Sequence, residues 1–117
     1  MDRRLAYLQD ILESAQAAIQ YLSGKSYDQF SHDEMAQDAI VRRFTIIGEA
    51  ASRLSKLGLV DWSGLPIVEL VDLRNFIVHE YDTLDTFAIY QAIQTNLPEL
   101  IAVVHSKLIE LDTDSPQ

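Results

Sequence analysis

The stretch "IVRRFTIIGEAASRL", residues 40–54, determines the fold that the sequence predicts. Its apolar residues recur at intervals of three and four, the spacing of one face of an α-helix. The predicted buried face consists of Ile40, Phe44, Ile47, Ala51 and Leu54. Gly48 lies in the middle of this helix, where glycine costs about 1 kcal/mol relative to alanine. Such a glycine predicts that another backbone comes close at this point.

A partly polar stripe runs along the side of the same helix. It consists of Arg42, Ile46, Glu49 and Arg53. Glu49 and Arg53 are four residues apart with the acid first, which is the favourable order for an ion pair on a helix. We therefore expect these two side chains to pair with each other.

The ends of this helix carry recognisable signals. "SHDE" predicts its start, because Ser31 can cap the backbone and Glu34 can reach back in a capping box. The helix is expected to end at Leu57, just before Gly58.

Apolar periodicity predicts one helix before this stretch. Residues 4–22 form a one-sided pattern, and Gly24 then begins a short connection, "GKSYDQF". The predicted stripe is Leu5, Leu8, Leu12, Ala15, Ile19 and Leu22.

Two further helices are predicted after it. One starts at Pro66 and runs to His79, since proline suits a first helical turn. Another starts near Leu84, with Asp82 or Thr83 as its cap. Its apolar residues are Phe87, Tyr90, Ile93, Leu97, Leu100, Ile101, Val104 and Leu108. Pro98 removes a backbone donor, so this helix should kink or restart there.

These patterns predict an all-α protein. No segment shows the period-two alternation of a strand. We expect an antiparallel bundle of four to five helices in one domain, residues 1–111, followed by a polar tail, residues 112–117.

The composition restricts the function. The chain of 117 residues has 18 acidic and 9 basic residues and a net charge of −9, which argues against a general nucleic-acid binder. It contains no cysteine, so disulfides and thiolate metal sites are excluded. His32, His79 and His105 lack metal-ligand spacing, and we expect no metal site. No signal peptide or membrane span is evident, so a cytoplasmic protein is expected.

The segment "RNFIVHEY", residues 74–81, places polar groups in an apolar helix. Arg74 and His79 are five residues apart, about 140° around a helix axis. Either the helix ends or distorts near His79, or the two residues line a cleft that a second copy of the chain closes. A structural role is the alternative, with Arg74 in a buried ion pair, His79 in the core and the Tyr81 ring packed.

The pattern R-x4-H-x-Y, formed by Arg74, His79 and Tyr81, resembles the signature of the HepT-like branch of the HEPN superfamily. "IIGEAA", residues 46–51, with Arg42 before its glycine, resembles the second-helix motif of that branch. Trp62 and "NLPEL", residues 96–100, also fit, so the resemblance covers residues 3–110.

The resemblance implies a two-fold homodimer in which the R-x4-H motifs of the protomers meet. It implies a toxin of a type VII-like toxin–antitoxin system that acts as a metal-independent endoribonuclease, with Arg74 and His79 as catalytic residues. The implied partner is an MntA-like minimal nucleotidyltransferase antitoxin, which transfers AMP from ATP to Tyr81. The protein itself needs no cofactor, and the homodimer exists alone or in a larger assembly with the antitoxin.

A ribonuclease with a net charge of −9 must confine its RNA contacts to a local basic groove. Arg42, Arg43 and Arg53 are the candidates to line that groove. The competing interpretation is a non-catalytic HEPN module that binds a nucleotide or RNA or serves as a scaffold.

Overall fold

The computed structural model describes residues 3–57, 64–79 and 85–114, with only the backbone for 76–79 and 113–114. Every regular element within these ranges is helical, which confirms the predicted all-α class. The helices are α1 (Arg3–Leu22), α2 (Tyr27–Ser31), α3 (Glu34–Leu57), α4 (Ile67–His79), α5 (Thr86–Gln91) and α6 (Leu97–Asp114), with a π-helical segment, Ala92–Asn96, between the last two. None of these helices is both long and apolar enough to cross a membrane.

Helix α3 is the centre of the fold and packs against α1 and α4. All five residues of its predicted apolar face are buried. Helix α1 runs antiparallel to α3, because Tyr7 lies beside Arg53 while Tyr21 lies beside Arg43. The buried face of α1 is wider than predicted, since Ile11 is also fully buried.

The predicted connection "GKSYDQF" is wrong in its second half, where α2 begins. Ser26 caps this five-residue helix: its Oγ accepts from the Gln29 backbone N–H at 3.1 Å, and its own N–H donates to Gln29 Oε1 at 2.8 Å. This is a capping box in which glutamine replaces glutamate.

The predicted cap at Ser31 is also wrong. Ser31 is the last residue of α2, and its hydroxyl donates to the Asp28 carbonyl oxygen at 2.8 Å. Asp33 caps α3 instead, because its Oδ1 accepts from the Ala36 N–H at 3.0 Å and its Oδ2 lies 3.2 Å from Lys25 Nζ. The Ala36 N–H, followed by Lys25, holds the pKa of the Asp33 carboxyl below its usual range.

The last helical run is interrupted near Pro98, as predicted. Its cap is Asp85, whose Oδ1 accepts from the Ala88 N–H at 3.0 Å, so the predicted caps Asp82 and Thr83 are wrong. The helix widens into the π-helical segment and resumes at Leu97. A widened turn accommodates the missing proline N–H without ending the helix.

The C-terminal end differs from the expected polar tail. Helix α6 extends to Asp114, so the first three residues of that tail continue the helix. Its buried residues include Leu100, Val104 and Leu111, which pack toward α1.

Candidate functional site

Helix α4 contacts α3 at Gly48, the glycine from which a close approach was predicted. A methyl group at position 48 would overlap Arg74 Cβ, lie 2.7 Å from Arg74 Cγ and lie 3.1 Å from the Leu70 carbonyl oxygen. Real Cβ atoms do not tolerate such contacts. The prediction is confirmed, and the residue that uses the space is Arg74 of the R-x4-H-x-Y motif.

Among the described residues, the guanidinium of Arg74 has two polar partners. Nη1 donates to Asn75 Oδ1 at 2.7 Å, and Nη2 lies 3.6 Å from Glu49 Oε1. Nε is buried, and no described atom accepts a hydrogen bond from it. Because a guanidinium carries five N–H donors, these contacts leave donors free for a ligand.

The alternative prediction, a buried ion pair for Arg74, agrees with the structure only in part. Its ion pair exists, but the side chains of Arg74 and Glu49 are 34% and 40% exposed. Solvent reaches both charges, so the pair adds little to stability. A positively charged group with free donors at an exposed site is suited to binding an anion.

A cleft of about 430 Å³ opens between α3 and α4 at this point. Its polar lining consists of Glu49, Ser52, Arg53, Lys56, Arg74 and Asn75. Three cations thus surround one carboxylate, in a protein whose net charge is −9. The cleft is a local basic surface of the kind that the overall charge makes necessary for RNA contact.

The predicted ion pair between Glu49 and Arg53 does not form. Glu49 pairs with Arg74, while the guanidinium carbon of Arg53 lies 5.9 Å from the centre of the Tyr7 ring. A partner on a neighbouring helix has replaced the partner four residues away. Spacing along one helix gives no information about such a contact.

The three arginines predicted to contact RNA lie in different surroundings. Arg53 lines the cleft, whereas Arg42 and Arg43 do not. Arg42 is exposed on α3, and Arg43 Nη2 donates to the Tyr21 hydroxyl at 3.1 Å. Sequence reasoning missed Lys56, although it lies seven residues after Glu49 and therefore on the same face of α3.

Helix α4 is described as far as His79, and the predicted end or distortion of the helix at this residue stays a prediction. Because α4 is helical from Arg74 to His79, the two positions are about 140° apart around its axis. The structure of one chain therefore does not place them on one face. Tyr81 lies outside the described residues.

The other two histidines are separate from the cleft. His32 follows α2, with Nδ1 2.8 Å from the Asp28 carbonyl oxygen, and His105 is exposed on α6. Across residues 3–57, 64–79 and 85–114, no group of three or more histidine, aspartate or glutamate side chains is arranged to hold a metal ion.

Comparisons with known proteins identify the family of the chain. The sequence model of the family described as "Ribonuclease HepT-like" matches residues 11–106, which include Gly48, Arg74 and His79. "Putative RNase MJ1380" of Methanocaldococcus jannaschii is 30% identical over 81% of this chain and 87% of its own length. "Putative RNase TTE0752" of Caldanaerobacter subterraneus is 33% identical over 80% of this chain and 84% of its own length. "Probable ribonuclease HepT" of Thermococcus cleftensis is 24% identical over 80% of this chain and 86% of its own length. No solved structure matches the chain.

Proposed function

The chain belongs to the HepT-like family, and on that premise we propose that it is an endoribonuclease of the toxin class with Arg74 and His79 as catalytic residues. One observation carries the proposal: the Arg74 guanidinium lines the cleft between α3 and α4, where its outer nitrogens carry more N–H donors than their two contacts use, beside two further cations. Such a site can bind a phosphodiester.

The proposed reaction is a transesterification. A base removes the proton of a ribose 2′-OH, the 2′-oxygen attacks the adjacent phosphorus, and an acid protonates the departing 5′-oxygen. The products are a 2′,3′-cyclic phosphate and a free 5′-OH. His79 is suited to the proton transfers because imidazole titrates near neutral pH. Arg74 stabilises the charge on the phosphorane oxygens, and no metal is required.

Two protomers build the proposed site. One chain supplies one arginine and one histidine on different sides of α4, whereas the reaction uses both a base and an acid. A two-fold dimer that brings the ends of two α4 helices together would supply two of each. In such a dimer, one His79 serves as the base and the other as the acid.

RNA contact is proposed to follow the cleft. Arg53 and Lys56 extend the positive surface of Arg74 along α3. Arg42 and Arg43 remain candidates for contact with RNA outside the cleft. Because the rest of the surface is acidic, the affinity for RNA should depend on these few cations.

We propose that an MntA-like minimal nucleotidyltransferase antitoxin neutralises the enzyme in a type VII-like system. It would transfer AMP from ATP to the hydroxyl of Tyr81, two residues beyond His79, and release pyrophosphate. The added AMP is bulky and negatively charged, so it would repel RNA phosphates. Intact mass after incubation with the antitoxin and ATP measures this step, and a protein without added AMP on Tyr81 contradicts it.

The nuclease proposal is tested with purified protein and labelled RNA in EDTA. We expect cleavage by the wild type, a cyclic phosphate at the new end, and at least about a 100-fold lower rate for Arg74→Ala and His79→Ala. His105→Ala is the matched control, since it removes an exposed imidazole from α6. If the two alanine variants cleave as fast as the control, the proposal is wrong.

A non-catalytic HEPN module that binds nucleotide or RNA, or acts as a scaffold, is the second candidate. The net charge of −9 favours the scaffold form of this candidate, because it disfavours broad contact with RNA phosphates. Binding of RNA that depends on Arg74, without cleavage, would support this second function instead.

A further inference from the structure

We infer that Gly48 and Glu49 of α3 are positioning residues for Arg74, and that the Glu49 carboxylate holds the guanidinium in place until a phosphate binds. This inference rests on the proposed function. Both residues contact Arg74 directly, one at its stem and the other at its charged end. Helix α3 thus controls a side chain that α4 provides.

Gly48 fixes the stem of Arg74. The absence of a Cβ lets the Arg74 Cβ and Cγ lie against the backbone of α3, with the Leu70 carbonyl oxygen also close. This contact buries Nε and directs the outer nitrogens toward the cleft. Any larger residue at position 48 would push α4 away and move the guanidinium with it.

Glu49 orients the outer end of Arg74 without using all of its donors. The distance of 3.6 Å between Nη2 and Oε1 exceeds the roughly 2.7–2.9 Å of a charge-assisted hydrogen bond. Asn75 holds the other nitrogen, Nη1, at 2.7 Å. Two anchors thus set the plane of the guanidinium, while a phosphate oxygen can still approach its free N–H groups.

The Glu49 carboxylate also has an unfavourable effect, which acts on RNA binding. It lies in the cleft that would receive the RNA, so it repels the phosphate that Arg74 attracts. Removal of the charge should therefore tighten RNA binding while it slows catalysis. A purely structural role for Glu49 predicts weaker binding and slower catalysis together.

The first experiment compares Glu49→Gln with the wild type. We expect kcat to fall about 10-fold or more because the guanidinium is misplaced. The Kd of a fluorescent single-stranded RNA with 2′-O-methyl groups, which cannot be cleaved, should fall about 3-fold. The Tm should change by less than about 2 °C, because the pair is half exposed.

Glu69→Gln is the matched control, since it removes the same charge from an exposed position of α4 that does not line the cleft. It should leave kcat and Kd at the wild-type values. Weaker RNA binding by Glu49→Gln, or a kcat equal to that of the control, would overturn the role of Glu49.

A second measurement does not depend on RNA cleavage. The ¹⁵N–¹H heteronuclear NOE of the Arg74 Nε group, assigned by its loss in Arg74→Lys, should be high in the wild type and lower in Glu49→Gln. An unchanged value would overturn the inference. If the wild type cleaves no RNA but this NOE falls, the positioning holds and the proposed reaction fails.

Gly48→Ala tests the contact between Gly48 and the stem of Arg74, because the two alternatives change the Tm in opposite directions. Alanine normally stabilises a helix relative to glycine, so a free position would give a higher Tm. We expect a lower Tm and the loss of RNA cleavage, because the methyl group meets Arg74 and Leu70. A Gly48→Ala protein with a raised Tm would overturn the role of Gly48.

Discussion

Arginine side chains have different surroundings on the two sides of α3, the side that faces α1 and the side that faces α4. Toward α1, Arg43 lies over the Tyr21 ring and donates a hydrogen bond to the Tyr21 hydroxyl. Toward α4, the contact is made through Gly48, and the guanidinium of Arg74 lines the cleft. Arg53 belongs to both sides, since it lies over the Tyr7 ring and also lines the cleft.

This difference separates stability from function within one helix. The cation–π contact and the hydrogen bond hold the Arg43 guanidinium against Tyr21. The Arg74 guanidinium instead lines a cleft, and its buried Nε, which has no described acceptor, costs stability. The α1 side is thus the structural side and the α4 side the functional side of α3.

The largest effect is expected from damage to the structural side. Ile11 of α1 is fully buried, and Ile11→Ala should lower the free energy of unfolding by about 2–5 kcal/mol. Urea unfolding followed by circular dichroism measures this. The fraction that remains folded should retain its RNA cleavage rate. A loss of cleavage without a loss of stability would contradict the division between the two sides.

An intermediate effect is expected in the salt dependence of RNA binding. Lys56 lines the cleft, so Lys56→Ala should reduce the slope of log K against log salt by about 0.7 for a single-stranded RNA. Fluorescence anisotropy at several KCl concentrations gives the slope. Lys25→Ala is the comparison, since Lys25 pairs with Asp33 and does not line the cleft, and it should change the slope less. Equal slopes for the two variants would remove the basis for assigning RNA to the cleft.

The smallest effect is expected at Asp33, which lies between α2 and α3 and caps α3. Because the folded state lowers the pKa of this carboxyl, its contribution to stability is present above the unfolded pKa, near 4. That contribution is lost as the pH falls through the lower folded pKa. The Tm difference between wild type and Asp33→Asn should therefore shrink on acidification from about pH 7 to about pH 3. A constant difference would show that the charge has no role.

Much of the fold followed from local patterns. The apolar face of α3 and the close approach at Gly48 were both predicted correctly. The start of α3 was not, because Ser26 with Gln29 and Ser31 with Glu34 carry the same capping signature. Only the first pair is used, and Asp33 takes the cap of α3. Sequence spacing alone could not rank these alternatives.

Less of the site than of the fold could be predicted from the sequence. Arg74 was identified from its motif, but its partner Glu49 was predicted to pair with Arg53, four residues away. The contact that replaces this pair joins α3 to α4, so it depends on how two helices pack. The homodimer and the modification of Tyr81 stay predictions. Each depends on an interface with a second molecule, and a single chain contains only one side of that interface.

The π-helical segment before Pro98 is equivalent to the insertion of one residue into a regular α-helix. Ile89, Ile93 and Leu97 are each four residues apart and are all buried, although successive steps of four would drift around a regular α-helix. The wider turn absorbs that drift. Deletion of a single residue from the segment would rotate everything from Leu97 onward by about 100°, so Leu100 and Val104 would leave the core together. The length of the segment before Pro98 therefore determines which residues of α6 face the core.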